Sequence, residues 1–131
     1  MKIAAFLRAA PQGSKRHVGN GVMIEQSKRV RPYRKALTVA AKAAKGYLPA
    51  LEGPVHVQAT FIFERPKSHK KDSFPVTRST GDIDKLLRST FDALTDAGVW
   101  GDDSQVTSVS ASKLYGESDQ VILIVTPELP F

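Results

Sequence analysis

GDIDKLLRSTFDALTDAGVWGDDSQV, from Gly81 to Val106, is the stretch that decides the fold. Its apolar side chains recur at intervals of three and four, which predicts a helix with one hydrophobic face. Asp82 is placed to cap the start of this helix, and Gly98 is placed to end it. The face is formed by Ile83, Leu86, Leu87, Thr90, Phe91, Leu94 and Ala97.

Asp82 and Asp84 flank Ile83 at the predicted helix start. Within a helix the two carboxylates would point to nearly opposite sides, whereas residues two apart in an extended chain share a side. The pair can therefore share one metal ion only if the helix begins after Asp82. Clustered carboxylates without Cys or a nearby His suit Mg²⁺, or Mn²⁺ in its place, rather than zinc.

A purely structural interpretation of the acids is also open. Carboxylates at a helix start are favoured by the helix dipole. Asp84, Arg88 and Asp92 are spaced four apart, as in an ordinary ladder of ion pairs. Asp102 and Asp103 follow a glycine and suit a turn. The residue types alone therefore do not separate a metal site from a well-capped helix.

The complete run resembles the central signature of the RusA family of Holliday-junction resolvases, which are phage and prophage endonucleases. The matching features are the D-x-D pair, the F-D-A-L-T-x-A-G segment, the tryptophan and the D-D-x-Q-V segment. Pro11, Arg16 and Lys113 also fall where the family has such residues. The resemblance implies a metal-dependent nuclease that works as a homodimer on four-way DNA junctions.

The resemblance also implies roles for individual residues. The family's essential acids correspond to Asp82, Asp84 and Asp103, which would hold the metal ion. The family's essential lysine corresponds to Arg88, which is a departure. Because arginine stays cationic near neutral pH, Arg88 is expected to act electrostatically and not as a proton donor or acceptor. Lys85 stands where the best-known member has asparagine.

The charge of the chain is divided unevenly. Residues 1–81 contain 16 Lys or Arg and 4 Asp or Glu, whereas residues 82–131 contain 3 and 9, within a net charge of +6. A basic half beside an acidic half suits a metal-dependent nuclease, because cations hold phosphates and carboxylates hold metal. The alternative, a surface built for solubility, more often mixes the two signs.

Length and composition predict one domain over residues 1–131. The chain has 41% hydrophobic residues, enough for a modest core, and no Cys, which excludes thiol chemistry. It has no apolar run of membrane-spanning length, and its N-terminal IAAFL segment lacks a signal-peptide core. We therefore expect a cytoplasmic protein, within a bacterial host if the resemblance holds, and no membrane partner.

The whole pattern predicts an α+β (mixed α/β) fold in the order β-β-α-β-α-β-β, with two main helices on a mixed sheet. The first two strands, residues 2–8 and 22–25, are expected to pair as a hairpin across a long basic loop. A helix is expected over residues 27–45, ordered from near Pro32 onwards. Later strands are expected at residues 55–63, 105–113 and 120–126, with 55–63 and 121–125 central. His56 is expected to be an ordinary strand residue.

Basic residues outside the signature are expected to hold the DNA backbone. Segment 64–80 has neither helical nor strand periodicity and leads directly into Asp82, which would place it along DNA at the cut. Phe74 within it would either wedge between base pairs or, as the commoner role, tack the segment to the body. Four basic residues at the start of the first helix oppose the helix dipole, which suggests a contact with DNA or, as the alternative, with another subunit: Arg29, Arg31, Arg34 and Lys35. The expected DNA-binding residues are Lys15, Arg16, Lys67, Lys70, Lys71, Arg78, Lys85 and Lys113.

Helix length suggests that one chain does not complete the metal site. A helix from Asp84 to Gly98 spans roughly 20 Å, and Asp103 lies only five residues later. If two such helices met antiparallel in a homodimer, Asp103 of one chain would approach Asp82 and Asp84 of the other. A strand that returns along the helix is the alternative within one chain. A two-fold dimer also matches the approximate two-fold symmetry of a four-way junction.

The predicted function is a Mg²⁺-dependent endodeoxyribonuclease that resolves four-way junctions by paired symmetric nicks in recombination and repair. Two alternatives stay open. One is a broader nuclease for forks and flaps in phage replication or packaging. The other is a non-catalytic DNA-binding protein whose Asp residues only cap helices and face solvent.

Overall fold

The computed structural model describes residues 1–13 and 28–129, together with the backbone of two short strands that lie between them. Four strands form one sheet, and the two short strands form a second. The strands are β1 (Lys2–Ala5), β2 (Lys15–His17), β3 (Met23–Glu25), β4 (Val55–Glu64), β5 (Val106–Gly116) and β6 (Gln120–Pro127). The helices are α1 (Val30–Lys45) and α2 (Ile83–Asp96), followed by a single 3₁₀ turn, Asp103–Gln105. The predicted α+β class is confirmed.

The larger sheet is mixed and has the strand order β1-β6-β4-β5. β4 pairs in parallel with β5 and antiparallel with β6, so that Val57 lies beside both Val109 and Val125. A parallel pair needs a long crossover, and α2 lies within the connection between β4 and β5. The prediction that residues 55–63 and 121–125 lie in central strands is confirmed.

The core lies where the helices cover the sheet. Alternate residues of β4, among them Phe61 and Phe63, are fully buried, as the period of two predicted. α1 contributes Leu37 and α2 contributes Leu86 to the same cluster. No helix in the described part of the chain has the length and apolar character needed to cross a membrane.

Both helices end at glycines with positive φ, as the sequence predicted. α1 is followed by Gly46 at φ 57°, and α2 is closed by Gly98 at φ 75°. The Gly98 N–H donates to the Thr95 carbonyl, and the Val99 N–H donates to the Leu94 carbonyl, each at 3.0 Å. This pair of bonds is the Schellman arrangement that satisfies the last carbonyls of a helix.

Predictions for the N-terminal strands were wrong in three respects. The first strand is Lys2–Ala5 and not residues 2–8, and Ile3 is its only fully buried residue. It pairs with β6, from Lys2 beside Ile124 to Ala5 beside Val121, and not with residues 22–25. β3 pairs instead with β2, which adds one strand to the predicted order and places Lys15 and Arg16 on a strand and not on a loop. The apolar β6 provides β1 with a buried neighbour that sequence proximity does not suggest. The side chains of Lys15 and Arg16 lie outside the described residues.

A candidate active site at the start of the second helix

Asp82 is the last extended residue before α2. Its backbone has φ −79° and ψ 140°, and its side chain makes no capping hydrogen bond. The helix therefore begins after Asp82, as a shared metal site requires. Asp84 is exposed in the first turn, and no ion pair or hydrogen bond occupies its carboxylate among the described residues. The only ion pair of Asp82 within that part of the chain is a loose one of 3.8 Å to Lys85.

Both carboxylates line one open cleft of about 690 Å³. One wall is the start of α2 with Gly81, and the other is residues 111–114 of β5. Residues from the segment before α2 complete the lining, including Phe74, Val76 and Arg78. The cleft therefore combines two carboxylates with cations and with apolar surface.

Lys113 reaches this cleft from β5. Its ammonium donates a hydrogen bond of 2.6 Å to the carbonyl of Gly81, directly before Asp82. Partial burial lowers the pKa of Lys113, and the negative charge of Asp82 opposes that change. The sequence predicted a DNA-backbone contact for Lys113, and the structure places it beside the acid pair.

Gly81 fixes the approach to the acid pair. It has φ 84°, and a Cβ there would lie 2.6 Å from Cγ of Pro11, so a larger residue does not fit. The Gln12 N–H donates to the Lys85 carbonyl at 3.0 Å. The Ser89 hydroxyl donates to the Ala10 carbonyl at 2.6 Å. Residues 10–12 are thus fastened to the first two turns of α2.

The segment between β4 and α2 is held at its first end by β5. The Arg65 N–H donates to the Gly116 carbonyl at 3.0 Å. His69 Nδ1 lies 3.1 Å from the Tyr115 hydroxyl, and the two rings meet edge to face. The lysines of this segment are left at the surface: Lys67, Lys70 and Lys71 are exposed, as is Arg78 near its other end.

The second end of the segment is held by Pro75 and Thr80, which are both buried. The Thr80 hydroxyl donates to the Pro75 carbonyl at 3.0 Å. Phe74 and Val76, on either side of Pro75, are 63% and 87% exposed. The expectation that Phe74 tacks the segment to the body is therefore wrong, because Pro75 has that role.

A second group of acids lies at the other end of α2. Arg34 of α1 contacts Asp96 at 2.9 Å and Asp92 at 3.6 Å. Arg34 thus joins the two helices, and the expectation that the basic residues at the start of the first helix contact DNA or another subunit stays a prediction. Burial raises the pKa of Asp92, Arg34 opposes that rise, and the charge of Asp103 adds to it. These residues line a smaller cleft of about 240 Å³ with Asp102 and Asp103.

In the D-D-x-Q segment, Asp102 and Gln105 stabilise the turn through hydrogen bonds, whereas Asp103 is exposed. The Asp102 side chain accepts a hydrogen bond of 2.8 Å from the Ser104 N–H, which lowers the pKa of Asp102. The Gln105 amide accepts from the Gly101 N–H and donates to the carbonyls of Leu51 and Gly53, all at 2.9 Å. Sequence reasoning missed this role of Gln105, although the D-x-x-Q spacing is that of a capping box. Asp103 between them is exposed.

The structure brings together Asp82, Asp84 and Lys113, but it leaves Asp103 at the opposite end of α2. Across residues 1–13 and 28–129, no three acidic, His or Cys side chains are grouped closely enough to hold a metal ion. The 14 residues of α2 span about 20 Å. Two hard oxygen donors on one side suit Mg²⁺ as part of a site that a third donor would complete.

Arg88 and His56 were also assigned roles from the sequence. Arg88 is exposed, and within the described chain it forms no ion pair with Asp84 or Asp92, so the proposed ladder is not formed. His56 Nδ1 lies 2.6 Å from the hydroxyl oxygen of Ser108 on the neighbouring strand, and that hydroxyl donates to Glu128. The expectation of an ordinary strand role for His56 is confirmed.

Comparison with known proteins gives one family. The family model described as Endodeoxyribonuclease RusA matches residues 8–126 of the 131-residue chain. The match covers the segment fastened to α2, the whole of α2 and β5. No curated protein was matched.

Proposed function

The chain belongs to the RusA family of endodeoxyribonucleases, and we propose that it is a Mg²⁺-dependent nuclease that resolves four-way DNA junctions by paired nicks. It would serve recombination and repair, from a phage or prophage gene in a bacterial cytoplasm. The observation that carries the proposal is the acid pair Asp82 and Asp84, which is left out of capping and faces one cleft with Lys113.

Asp82 and Asp84 would supply two oxygen ligands to Mg²⁺, or to Mn²⁺ in its place, and Asp103 would supply a third. The bound ion would activate water and offset charge that develops on the phosphate. Arg88 lies one turn beyond Asp84 on α2 and is exposed. It would neutralise the scissile phosphate or the leaving oxygen. Lys113 would hold the phosphate beside Asp82.

The cations around the cleft would hold the rest of the junction. Lys85 lies in the first turn of α2, and the exposed lysines of the preceding segment lie on the same approach. Contacts of this kind grip phosphates without reading sequence, so selectivity would come from the shape of the junction. The expected contacts are Lys15, Arg16, Lys67, Lys70, Lys71, Arg78 and Lys85.

We further propose that the site is completed across a homodimer. Asp103 and the acid pair lie at opposite ends of α2, and each faces its own cleft. An antiparallel meeting of two copies would place Asp103 of one chain at the acid pair of the other, once at each of two symmetric sites. Two symmetric sites would also account for two symmetric nicks.

Mixed dimers test the shared site. Asp82→Asn and Asp103→Asn subunits are each expected to be inactive alone. In a mixed dimer with a shared site, one site carries both lesions and the other carries none. Random mixing should therefore restore nicking of one labelled strand to about a quarter of the wild-type level. If the mixture stays inactive while subunit exchange is shown by differential tagging, Asp103 acts within its own chain or not at all.

Cleavage of a mobile four-way junction with and without Mg²⁺ tests the function itself. We expect symmetric nicks that require the metal, and much slower cleavage of linear duplex, forks and flaps. Equal rates on forks and flaps would replace junction resolution with a broader branched-DNA activity. Binding of the junction without cleavage in either Mg²⁺ or Mn²⁺ would leave a DNA-binding protein only.

A further inference from the structure

The tip Phe74–Pro75–Val76 is an apolar, hydrogen-bonded turn, and two of its residues line the cleft. The Val76 N–H donates to the Phe74 carbonyl at 2.9 Å, which closes a three-residue turn around Pro75. Pro75 is buried, and its carbonyl shares the Thr80 hydroxyl with the carbonyl of Thr77, at 3.0 Å and 2.9 Å. The side chains on either side of it are left in solvent at the cleft.

The surface near this tip has two kinds of character. Ile83 and Leu114, which line the same cleft, are 37% and 38% exposed and extend its apolar side. Arg78 lines the cleft as well, and Lys70 and Lys71 precede the tip at the surface. A ligand that fits the apolar side and the cations needs a flat apolar face and a row of anions. A nucleic-acid strand has both, in its bases and its phosphates.

We propose that Phe74, supported by Pro75 and Val76, receives an unstacked nucleobase of the DNA beside the phosphate that is cut. This inference rests on the proposed function, because it assumes that DNA is cut at the acid pair and places the neighbouring base on Phe74. The cations beside the tip favour DNA over a second copy of the same tip, since two such tips facing each other would bring like charges together. Because the backbone of the turn is already hydrogen-bonded, stacking of the base would mainly have to order the Phe74 side chain.

A base at the centre of a fully paired junction must leave its stack before the strand can enter the cleft. Stacking on an aromatic side chain offsets the loss of stacking within the DNA. Phe74→Ala is therefore expected to slow cleavage of a fully paired, immobile junction by roughly 10- to 100-fold. Binding of the junction, which rests on the cations, should change less than about threefold.

A junction with unpaired bases at its crossover provides the decisive comparison. Its bases are already unstacked, so the Phe74→Ala protein should cleave it at nearly the wild-type rate. Phe74→Tyr keeps an aromatic face and should retain cleavage of the paired junction. Phe6→Ala is the matched control, because Phe6 is 82% exposed and does not line the cleft. It should behave as wild type on both substrates.

Fluorescence separates failure of this inference from failure of the proposed function. A 2-aminopurine placed at the crossover should brighten when wild-type protein binds in EDTA, and it should not brighten with Phe74→Ala. That signal with no cleavage in any metal would support the base site and reject the nuclease. Normal cleavage by Phe74→Ala on the paired junction, without a change in fluorescence, would overturn the base site. Loss of a dimer by Phe74→Ala in sedimentation would overturn it too, because the tip would then be a contact between copies.

Discussion

The two ends of α2 use aspartate in opposite ways. At the end of the helix, Asp96 is paired with Arg34, and beyond it Asp102 caps a 3₁₀ turn. At the start, Asp82 makes no capping bond and Asp84 has no partner in the described part of the chain. The carboxylates of Asp96 and Asp102 are engaged by neighbours, whereas those of Asp82 and Asp84 are exposed to solvent and left available to a ligand.

Asp103 is the residue that does not fit this division. It lies among the structural acids, but it is exposed and adds repulsion to Asp92. Its position is set by its neighbours, since Asp102 and Gln105 fix the turn on either side of it. As an exposed acid on a hydrogen-bonded turn, Asp103 resembles Asp82 and Asp84 at the start of α2 more than the paired Asp96 at its end.

The strongest test of the comparison is to neutralise one acid at each end. Asp84→Asn should lower junction cleavage by about 10³-fold and leave junction binding intact, because a metal ligand is lost while the cations remain. Asp96→Asn removes only one partner of an exposed ion pair and should stay within about twofold of wild type. Single-turnover cleavage and gel-shift binding measure both. Similar losses of cleavage for the two variants would show that the acids at the two ends of α2 do not differ in function.

The adjacent pair Asp102 and Asp103 sharpens the comparison within one turn. Asp103→Asn should lower cleavage by at least about 10²-fold if it supplies a metal ligand. Asp102→Asn should retain cleavage, because asparagine caps as well as aspartate. Both are followed by cleavage rate, with thermal unfolding as the check on folding. The reverse ranking would make Asp103 structural and Asp102 the functional acid.

Substitution of Lys113 tests whether this residue takes part in cleavage at the start of α2 or only binds DNA there. Lys113→Met should lower kcat by roughly 10-fold or more, because the cation beside Asp82 is lost from the developing charge. Lys113→Arg should recover part of the rate. Cleavage measured over a range of junction concentrations separates kcat from KM. A rise in KM with unchanged kcat would support only the backbone-binding role that the sequence predicted.

The smallest expected effect belongs to the ion pairs at the end of the helix. Arg34→Met should lower the free energy of unfolding by no more than about 1 kcal/mol, since Arg34 and its two partners are partly exposed. Urea unfolding followed by tryptophan fluorescence measures this, with Lys85→Met as the matched loss of a loose pair at the other end. A loss above about 3 kcal/mol would show that Arg34 carries the contact between the helices.

Sequence signals that act over a few residues correctly predicted the ends of the second helix. The start of α2 after Asp82 and its end at Gly98 follow from periodicity and glycine chemistry over a few residues. The partner of β1 was mispredicted, because its true neighbour, β6, lies at the far end of the chain. Lys113 reached the acid pair through the parallel pairing of β4 and β5, which no short segment specifies. For the candidate site, the sequence predicted the acids and basic residues near them, but not the contact that brings Lys113 to the carbonyl of Gly81.

The left-handed backbone of Gly81, with the Pro11 ring packed against it, makes position 81 a fixed point in the evolution of the cleft. A side chain there would meet the ring and would also be strained by φ 84°, so loss of the proline alone does not open the position. Among diverged relatives, the glycine should therefore persist even where the proline has been replaced. Directed evolution of the cleft should leave this codon unchanged.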